Sequence, residues 1–293
     1  MRKRRKVSAG ERAMDIIIYT LLVVLVVICL YPVWYCIAAS FATSTEVQLS
    51  KGMMLWPKKF TLEAYRIAFE NPRILSGFKW SVLQLGLALP FNMTLTLLCG
   101  FVMASKNMFW KKPILFIIMF TMWFSGGLIP EYLNVKSLGL TETIWSLVLP
   151  GALSVYNSII CKTAIEAIPE SLSESAYIDG ATPLKTLVSI IVPLMKPTLA
   201  VLLLYYGVGH WNSWFAASIY ITDPNNRPIQ NVLHQLLTST SNTIGDQIID
   251  FTNDYAETIK YSTIVISSLP IMCVYPFLQK YFAKGVMIGA VKG

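Results

Sequence analysis

From Ile16 to Ala39 the chain runs for 24 residues without a charged side chain. As a helix rising about 1.5 Å per residue, this run reaches roughly 36 Å, enough to cross a hydrocarbon core of about 30 Å. It is longer than the apolar part of a secretory signal, about 7–15 residues, and no clean A-x-A cleavage site follows. It is expected to be an uncleaved membrane span, so lipid, not water, is the solvent for most of the fold.

Six stretches can span, near 15–39, 79–104, 111–130, 142–165, 195–221 and 259–283. In lipid every backbone amide and carbonyl must be satisfied within the protein, and none of these stretches alternates as a barrel strand would. The expected fold class is an all-α membrane protein. A six-helix transmembrane permease domain would cover 15–283, between a basic segment 1–14 and a tail 284–293. Pro32, Pro90, Pro150 and Pro270 fall inside the stretches and imply kinks that neighbouring helices accommodate. Composition agrees, with 55% hydrophobic and 14% charged residues, where a soluble domain carries about a quarter charged. Cys29, Cys36, Cys99, Cys161 and Cys273 lie in or beside apolar segments without metal-ligand spacing, and read as small buried hydrophobes. No metal site is expected.

Charge sets the expected orientation. The basic run Arg2-Lys3-Arg4-Arg5-Lys6 stands just before the first span, where it suits anionic membrane lipid rather than nucleic acid. With the N-terminus inside, segments 1–14, 105–112, 162–197 and 280–293 hold 15 Lys and Arg, against 9 in segments 40–79, 131–142 and 222–260. The positive-inside rule therefore predicts N-in and C-in. Lys51, Lys58, Lys59, Arg66, Arg73 and Lys79 in the outer segment 40–79 run against the bias. Trp80, Trp110, Trp145 and Trp214 lie toward span ends, as interfacial rings do.

Ion-driven carriers need ionisable groups at membrane depth, and these spans are nearly free of them. His210 is the main exception; a packing histidine and a proton relay are both open. Gln84, Asn92, Asn157 and Asn212 can line a path for a neutral solute or hydrogen-bond helix to helix. No G-x-x-x-x-G-K-[ST] phosphate loop occurs, and the dipeptide Gly-Lys is absent. No paired-carboxylate, metal or nucleophile constellation supports an enzyme. If ATP drives the chain, another subunit binds it.

That subunit must grip the cytoplasmic side, where the longest inner loop is 162–197. Pro169 can open a short helix with Glu170 at the positive end of its dipole, and Gly180 can stop it. Thr182-Pro183 reads as an N-cap and first-turn proline of a second helix, running to about Ile191 before Pro193. Ser171, Ser175 and Ala176 would give the first helix a low surface for a partner, with Glu174 and Asp179 supplying charge. A helix resting on lipid would carry Lys and Arg, and this one has none.

Glu174-Ser175-Ala176, Gly180, Ile190 and Val192-Pro193 reproduce the spacing of the EAA element, E-A-A-x3-G-x9-I-x-L-P. The chain thereby resembles permeases of binding-protein-dependent ABC importers. Asp179-Gly180-Ala181 fits the commonest form; Ser175 and Val192 are the departures. The tail Leu278-Gln279-Lys280-Tyr281-Phe282, Lys284-Gly285, Gly289-Ala290 and Lys292-Gly293 is similar to carbohydrate importer permeases of the maltose MalG type. The outer loops resemble the LplC-like complex-oligosaccharide branch.

The resemblance implies a bacterial cytoplasmic (inner) membrane subunit forming half of a sugar pore. Its partners would be a homologous second permease, two ATPase subunits and an extracytoplasmic sugar-binding protein. ATP and Mg would be bound by the ATPase, with no cofactor in this chain. The coupling element 166–195, between the fourth and fifth spans, would hold Glu174, Ser175, Ala176, Asp179, Gly180, Ala181, Ile190 and Pro193. A solute path could use Asn92, Asn157, Tyr206, His210, Asn212 and Trp214. Tyr206, His210 and Trp214 recur every four residues, near one helix face, although bundle packing accounts for them equally. The outer loop 222–258 is expected to touch the binding protein, with a short surface helix near 229–237. A permease for a non-sugar solute is the alternative, and a non-ABC channel or secondary carrier would leave the EAA spacing unexplained.

Overall fold

The computed structural model describes residues 9–106, 109–238 and 255–290. Among these, every regular element is helical. In chain order the helices are α1 (Ala9–Ser40), α2 (Ser44–Ser50), α3 (Glu63–Glu70), α4 (Pro72–Ala104), α5 (Lys111–Trp123), α6 (Leu128–Ser137), α7 (Trp145–Val148) and α8 (Val155–Glu166). They continue with α9 (Glu170–Ile178), α10 (Pro183–Thr186), α11 (Val192–Leu194), α12 (Lys196–Asn212), α13 (Phe215–Tyr220), α14 (Ile229–Thr238) and α15 (Ala256–Ala290). A single π turn, Leu187–Ile191, joins α10 to α11, and a 3₁₀ turn covers Pro224–Asn226.

Among the described residues, three helices are long and apolar enough to cross a membrane: Gly10–Ser40, Pro72–Ala104 and Glu257–Phe277. They match the first, second and sixth expected stretches, and Pro32, Pro90 and Pro270 lie within them. Two further helix pairs are long and apolar enough only when taken together, and each is sharply bent. α5 and α6 meet at 113°, and the segment Pro183–Leu194 meets α12 at 89°. The first bend follows Gly126-Gly127, with Gly127 at φ 87°, a conformation an L residue rarely holds. The expected stretch 142–165 is not a continuous helix. Pro150-Gly151 separates the 4-residue α7 from the 12-residue α8, which starts afresh with Ser154 as N-cap, its side chain accepting from Asn157 N at 3.3 Å.

The chain divides into two compact units. The first comprises described residues up to Asn71 together with 255–266. Here Phe41 stacks on Phe60 at 4.9 Å and lies 5.1 Å from Tyr65, and Ser40 Oγ meets Tyr65 Oη at 2.7 Å. Ser262 Oγ donates to Ala64 O at 3.3 Å, and Ser44 Oγ accepts from Glu257 N at 3.2 Å. Residues 10–30 of α1 are exposed throughout.

The second unit, Pro72–Thr238 and the chain from Ser267 on, is organised by α4. Its buried residues, Ile74, Gly77, Ser81, Gln84, Ala88, Asn92, Thr96, Gly100 and Met103, fall on one helical stripe. Most are small or polar, the composition that lets membrane helices approach closely. A Cβ on Gly100 would lie 2.6 Å from Cys161 Sγ of α8, and one on Gly77 would lie 3.0 Å from Ile229 Cα of α14. Ser81 Oγ accepts from Ile229 N at 3.0 Å, satisfying an amide at the start of α14.

Candidate functional site

The EAA segment folds as two capped helices around a glycine turn. Pro169 is the N-cap of α9, outside the helix, and Glu170 opens its first turn. At the other end Asp179 is the C-cap and Gly180 adopts φ 80°. Gly180 N donates to Tyr177 O at 3.0 Å and Ala181 N donates to Ala176 O at 2.8 Å. This pair of bonds is the Schellman arrangement, which satisfies the last helix carbonyls and requires a left-handed residue. Thr182 then caps α10, accepting from Lys185 N at 3.3 Å, with Pro183 as first-turn residue.

The second helix continues past its expected end at Ile191. Pro193 has no N–H, and its ring crowds the carbonyl of Ser189, four residues back. The backbone widens ahead of it into the π turn, where Val192 N bonds to Leu187 O, and the helix runs through Pro193 to Leu194. Leu187, Ile191 and Met195 are buried in one cluster with Cys161, Ile165 and Leu202, which fixes the element to α8 and α12. Ile190 is half-buried and Pro193 exposed.

Ala176 does not belong to the exposed surface of α9: it is buried at 6% exposure. Glu174, Ser175 and Asp179 are exposed, as is Ser171. Ile178, 87% exposed, and Leu184, 61%, were not singled out from sequence. Apolar side chains presented on a water-facing loop were the available signal.

A cleft of about 790 Å³ separates α9 from the end of α4, lined by Phe101, Lys106, Ile165, Glu170, Glu174 and Tyr177 among others. Across it the Lys106 ammonium ion-pairs with Glu170. The hydrogen bond from Glu170, and then its charge, hold Lys106 above the ordinary lysine range, with a smaller contribution from Glu174.

The expected path residues separate into two groups. Asn92, Asn157 and Tyr206 are buried, at 0%, 5% and 6% exposure. Asn92 is satisfied when its oxygen accepts from His210 Nε2 at 2.7 Å and its nitrogen donates to Ala88 O (3.0 Å) and Ala152 O (3.3 Å). That places the His210 proton on Nε2 and leaves Nδ1 to accept from Gln84 Nε2 at 3.2 Å. Tyr206 Oη meets Thr96 Oγ1 at 2.6 Å and accepts from Ser154 N at 3.0 Å. His210 and Tyr206 thus bridge α12 to α4 and to the start of α8. Asn212 and Trp214 are exposed. Trp214 does not extend the Tyr206–His210 face, because α12 ends at Asn212 and Ser213 is extended. Its ring stacks on His234 at 3.6 Å, and its carbonyl accepts from Asn231 Nδ2 at 2.9 Å.

The helix expected at 229–237 is present as α14, but it is not a surface helix. Ile229, Val232 and Leu236 are buried, at the spacing of one helix face. Residues 239–254 of the outer loop, with Asp246, Asp250 and Asp254, lie outside the described residues. So do the basic run Arg2–Lys6 and the end of the tail, Val291–Gly293.

Apolar helices of membrane length, polar side chains bonded helix to helix, and a capped two-helix excursion between α8 and α12 mark an all-helical integral membrane protein. More specifically, the chain belongs to the family of binding-protein-dependent transport system inner membrane components, whose model matches residues 86–288. It is 39% identical over 285 residues to the polygalacturonan/rhamnogalacturonan transport system permease protein YtcP of Bacillus subtilis, covering 97% of this chain and 99% of that protein. It is 40% identical over 268 residues to protein LplC of the same organism, covering 91% and 90%. The fold matches a crystal structure of a bacterial ABC transporter involved in import of the acidic polysaccharide alginate, with TM-score 0.86, 27% identity, and coverage of 95% of this chain and 100% of that one.

Proposed function

We propose that this chain is the transmembrane permease subunit of an ATP-driven oligosaccharide importer in the bacterial cytoplasmic membrane. The family and its oligosaccharide-transporting relatives support the class, and the capped α9–Gly180–α10 element is the observation that carries the mechanism. α9 would seat on a separate ATPase through Glu174, Ser175 and Asp179, with Ile178 as an apolar contact. The buried face of α10–α11 would pass its movement to α8 and α12. A second, homologous permease would complete the pore, two ATPases would bind ATP and Mg, and an extracytoplasmic binding protein would deliver the sugar. In this reading the chain crosses six times, N-in and C-in, with the broken 142–165 region as the fourth crossing. Among the path residues, Asn212, Trp214 and half-buried His210 would face the solute, while Asn92, Asn157 and Tyr206 hold their helices in place.

The test is ATP hydrolysis by the purified chain alone and by the complex recovered with it from the host. The isolated chain should hydrolyse nothing. The complex should be stimulated by binding protein loaded with an oligosaccharide, neutral or uronic, and not by peptides or polyamines. Turnover by the isolated chain, or stimulation by a non-sugar solute, would overturn the proposal.

A further inference from the structure

Residues 49–60, LSKGMMLWPKKF, leave α2 through a sharp turn at Lys51 (φ 48°) and Gly52 (φ 84°). The turn sends the chain back along α1. Tyr31 Oη donates to Gly52 O at 3.0 Å and accepts from Met54 N at 3.1 Å, and Trp34 Nε1 donates to Leu55 O at 2.6 Å. The Trp34 and Trp56 rings lie 6.1 Å apart. Met54 and Pro57 are buried, whereas Leu49, Met53, Leu55, Trp56 and Phe60 are each more than half exposed. Lys51, Lys58 and Lys59 are exposed too. Glu46 is occupied by the backbone amides of Lys58 at 2.5 Å and Lys59 at 3.4 Å.

Depth decides what covers these side chains. A hydrocarbon core needs about 20 helical residues. Counted from Ile16, the first residue beyond the charges of Arg12 and Asp15, the core runs to about Tyr35. The loop is bonded to Tyr31 and Trp34, so its tip sits roughly 13 Å below the helix end at Ser40. A soluble partner does not reach that level. Three of the loop's backbone polar groups, Gly52 O, Met54 N and Leu55 O, which lipid would leave unsatisfied, are taken by Tyr31 and Trp34.

We infer that residues 49–60 are an interfacial lipid anchor, with Met53, Leu55 and Trp56 entering the acyl boundary and Lys51, Lys58 and Lys59 holding anionic headgroups. Three of the lysines that run against the positive-inside bias thereby acquire a role at a lipid surface. The outer leaflet follows from the N-in orientation proposed above; the depth does not.

The test uses the full chain in nanodiscs, with its five native cysteines replaced by serine and a nitroxide at Leu55→Cys or, as reference beyond the helix end, at Thr45→Cys. The Leu55 label should collide more with dissolved oxygen than with a water-soluble nickel chelate, and the Thr45 label the reverse. Replacing a third of the phosphatidylcholine with phosphatidylglycerol should raise the oxygen-to-nickel ratio at Leu55. Lys51→Gln/Lys58→Gln/Lys59→Gln should abolish that rise, since each such lysine strengthens binding to an anionic surface by about fivefold. Nickel access at Leu55 equal to that at Thr45 would overturn the inference. So would a ratio indifferent to lipid charge, loss of oxygen access at Leu55 when the second permease is assembled with the chain, or protection that appears only when the binding protein is added. Nanodiscs expose both leaflets, so an inverted orientation changes none of these results. Orientation is read separately, from the side on which Thr45→Cys is labelled in sealed vesicles.

Discussion

Substituting Gly180 separates backbone geometry from side-chain contact at the turn after α9. The residue stands at φ 80°, and an added Cβ would meet no atom within 4 Å. Gly180→Ala therefore introduces no clash, only the left-handed strain of an L residue, about 1–2 kcal/mol. If that strain opposes the seated conformation, ATPase affinity falls by roughly 5- to 30-fold. Asn tolerates this region better than Ala, and a β-branched residue worse. The expected affinity order is wild type, Gly180→Asn, Gly180→Ala, Gly180→Val. The assay is titration of purified ATPase against detergent-solubilised permease, beside oligosaccharide uptake by cells carrying each variant. Membrane insertion and pairing with the second permease should be unchanged, because the strain lies in the loop. Equal affinity for Val and wild type would refute the reasoning, as would an Asn variant no better than Val.

Glu174→Ala should weaken ATPase association by roughly ten- to hundredfold, the loss of a charge-assisted contact of about 1.5–3 kcal/mol, and lower uptake without changing sugar preference; unchanged pull-down and uptake would remove Glu174 from the interface. Gly100→Val should disrupt the α4–α8 contact by about 1–3 kcal/mol or more, lowering the detergent melting temperature, whereas Gly86→Val, where nothing lies within 4 Å of the added Cβ, should not. Asn92→Leu should cost more stability than Gln84→Leu. The first strands the His210 Nε2 proton and removes two further bonds to carbonyls, while the second removes one bond together with the buried, unpartnered Gln84 Oε1; equal melting temperatures would contradict the network.

The sequence and the structure agree where one local rule decides the outcome. Long charge-free runs mark α1, α4 and α15, and Gly180, Thr182 and Pro183 mark the turn chemistry around α9 and α10. They part where two rules compete. Pro150 reads from sequence as a kink, like Pro32, Pro90 and Pro270, but α7 ends at Val148 and the next helix starts only at Val155, with Pro150-Gly151 in the break. The π turn before Pro193 depends on how the backbone accommodates a missing N–H, which residue identity alone does not fix. Ile229, Val232 and Leu236 carry a helix-face spacing that the polar surroundings of the outer loop obscured. Tyr206, His210 and Trp214 share a spacing, yet Trp214 lies past the helix end, and periodicity is silent about where a helix stops. The polar stripe of α4 was visible only as scattered Gln84 and Asn92, because its partners Tyr206 and His210 come from more than 100 residues away.

In the proposed division of labour, the chain would supply a sugar pathway and a separate ATPase the energy. Uptake of labelled oligosaccharide into proteoliposomes tests it most directly. The liposomes would hold this chain, its partner permease and the ATPase, with ATP inside and binding protein outside. Uptake should require all four proteins and ATP, stop when the ATPase phosphate loop is inactivated, and be indifferent to a proton ionophore. Uptake that persists without the ATPase, or that collapses with the proton gradient, would contradict it.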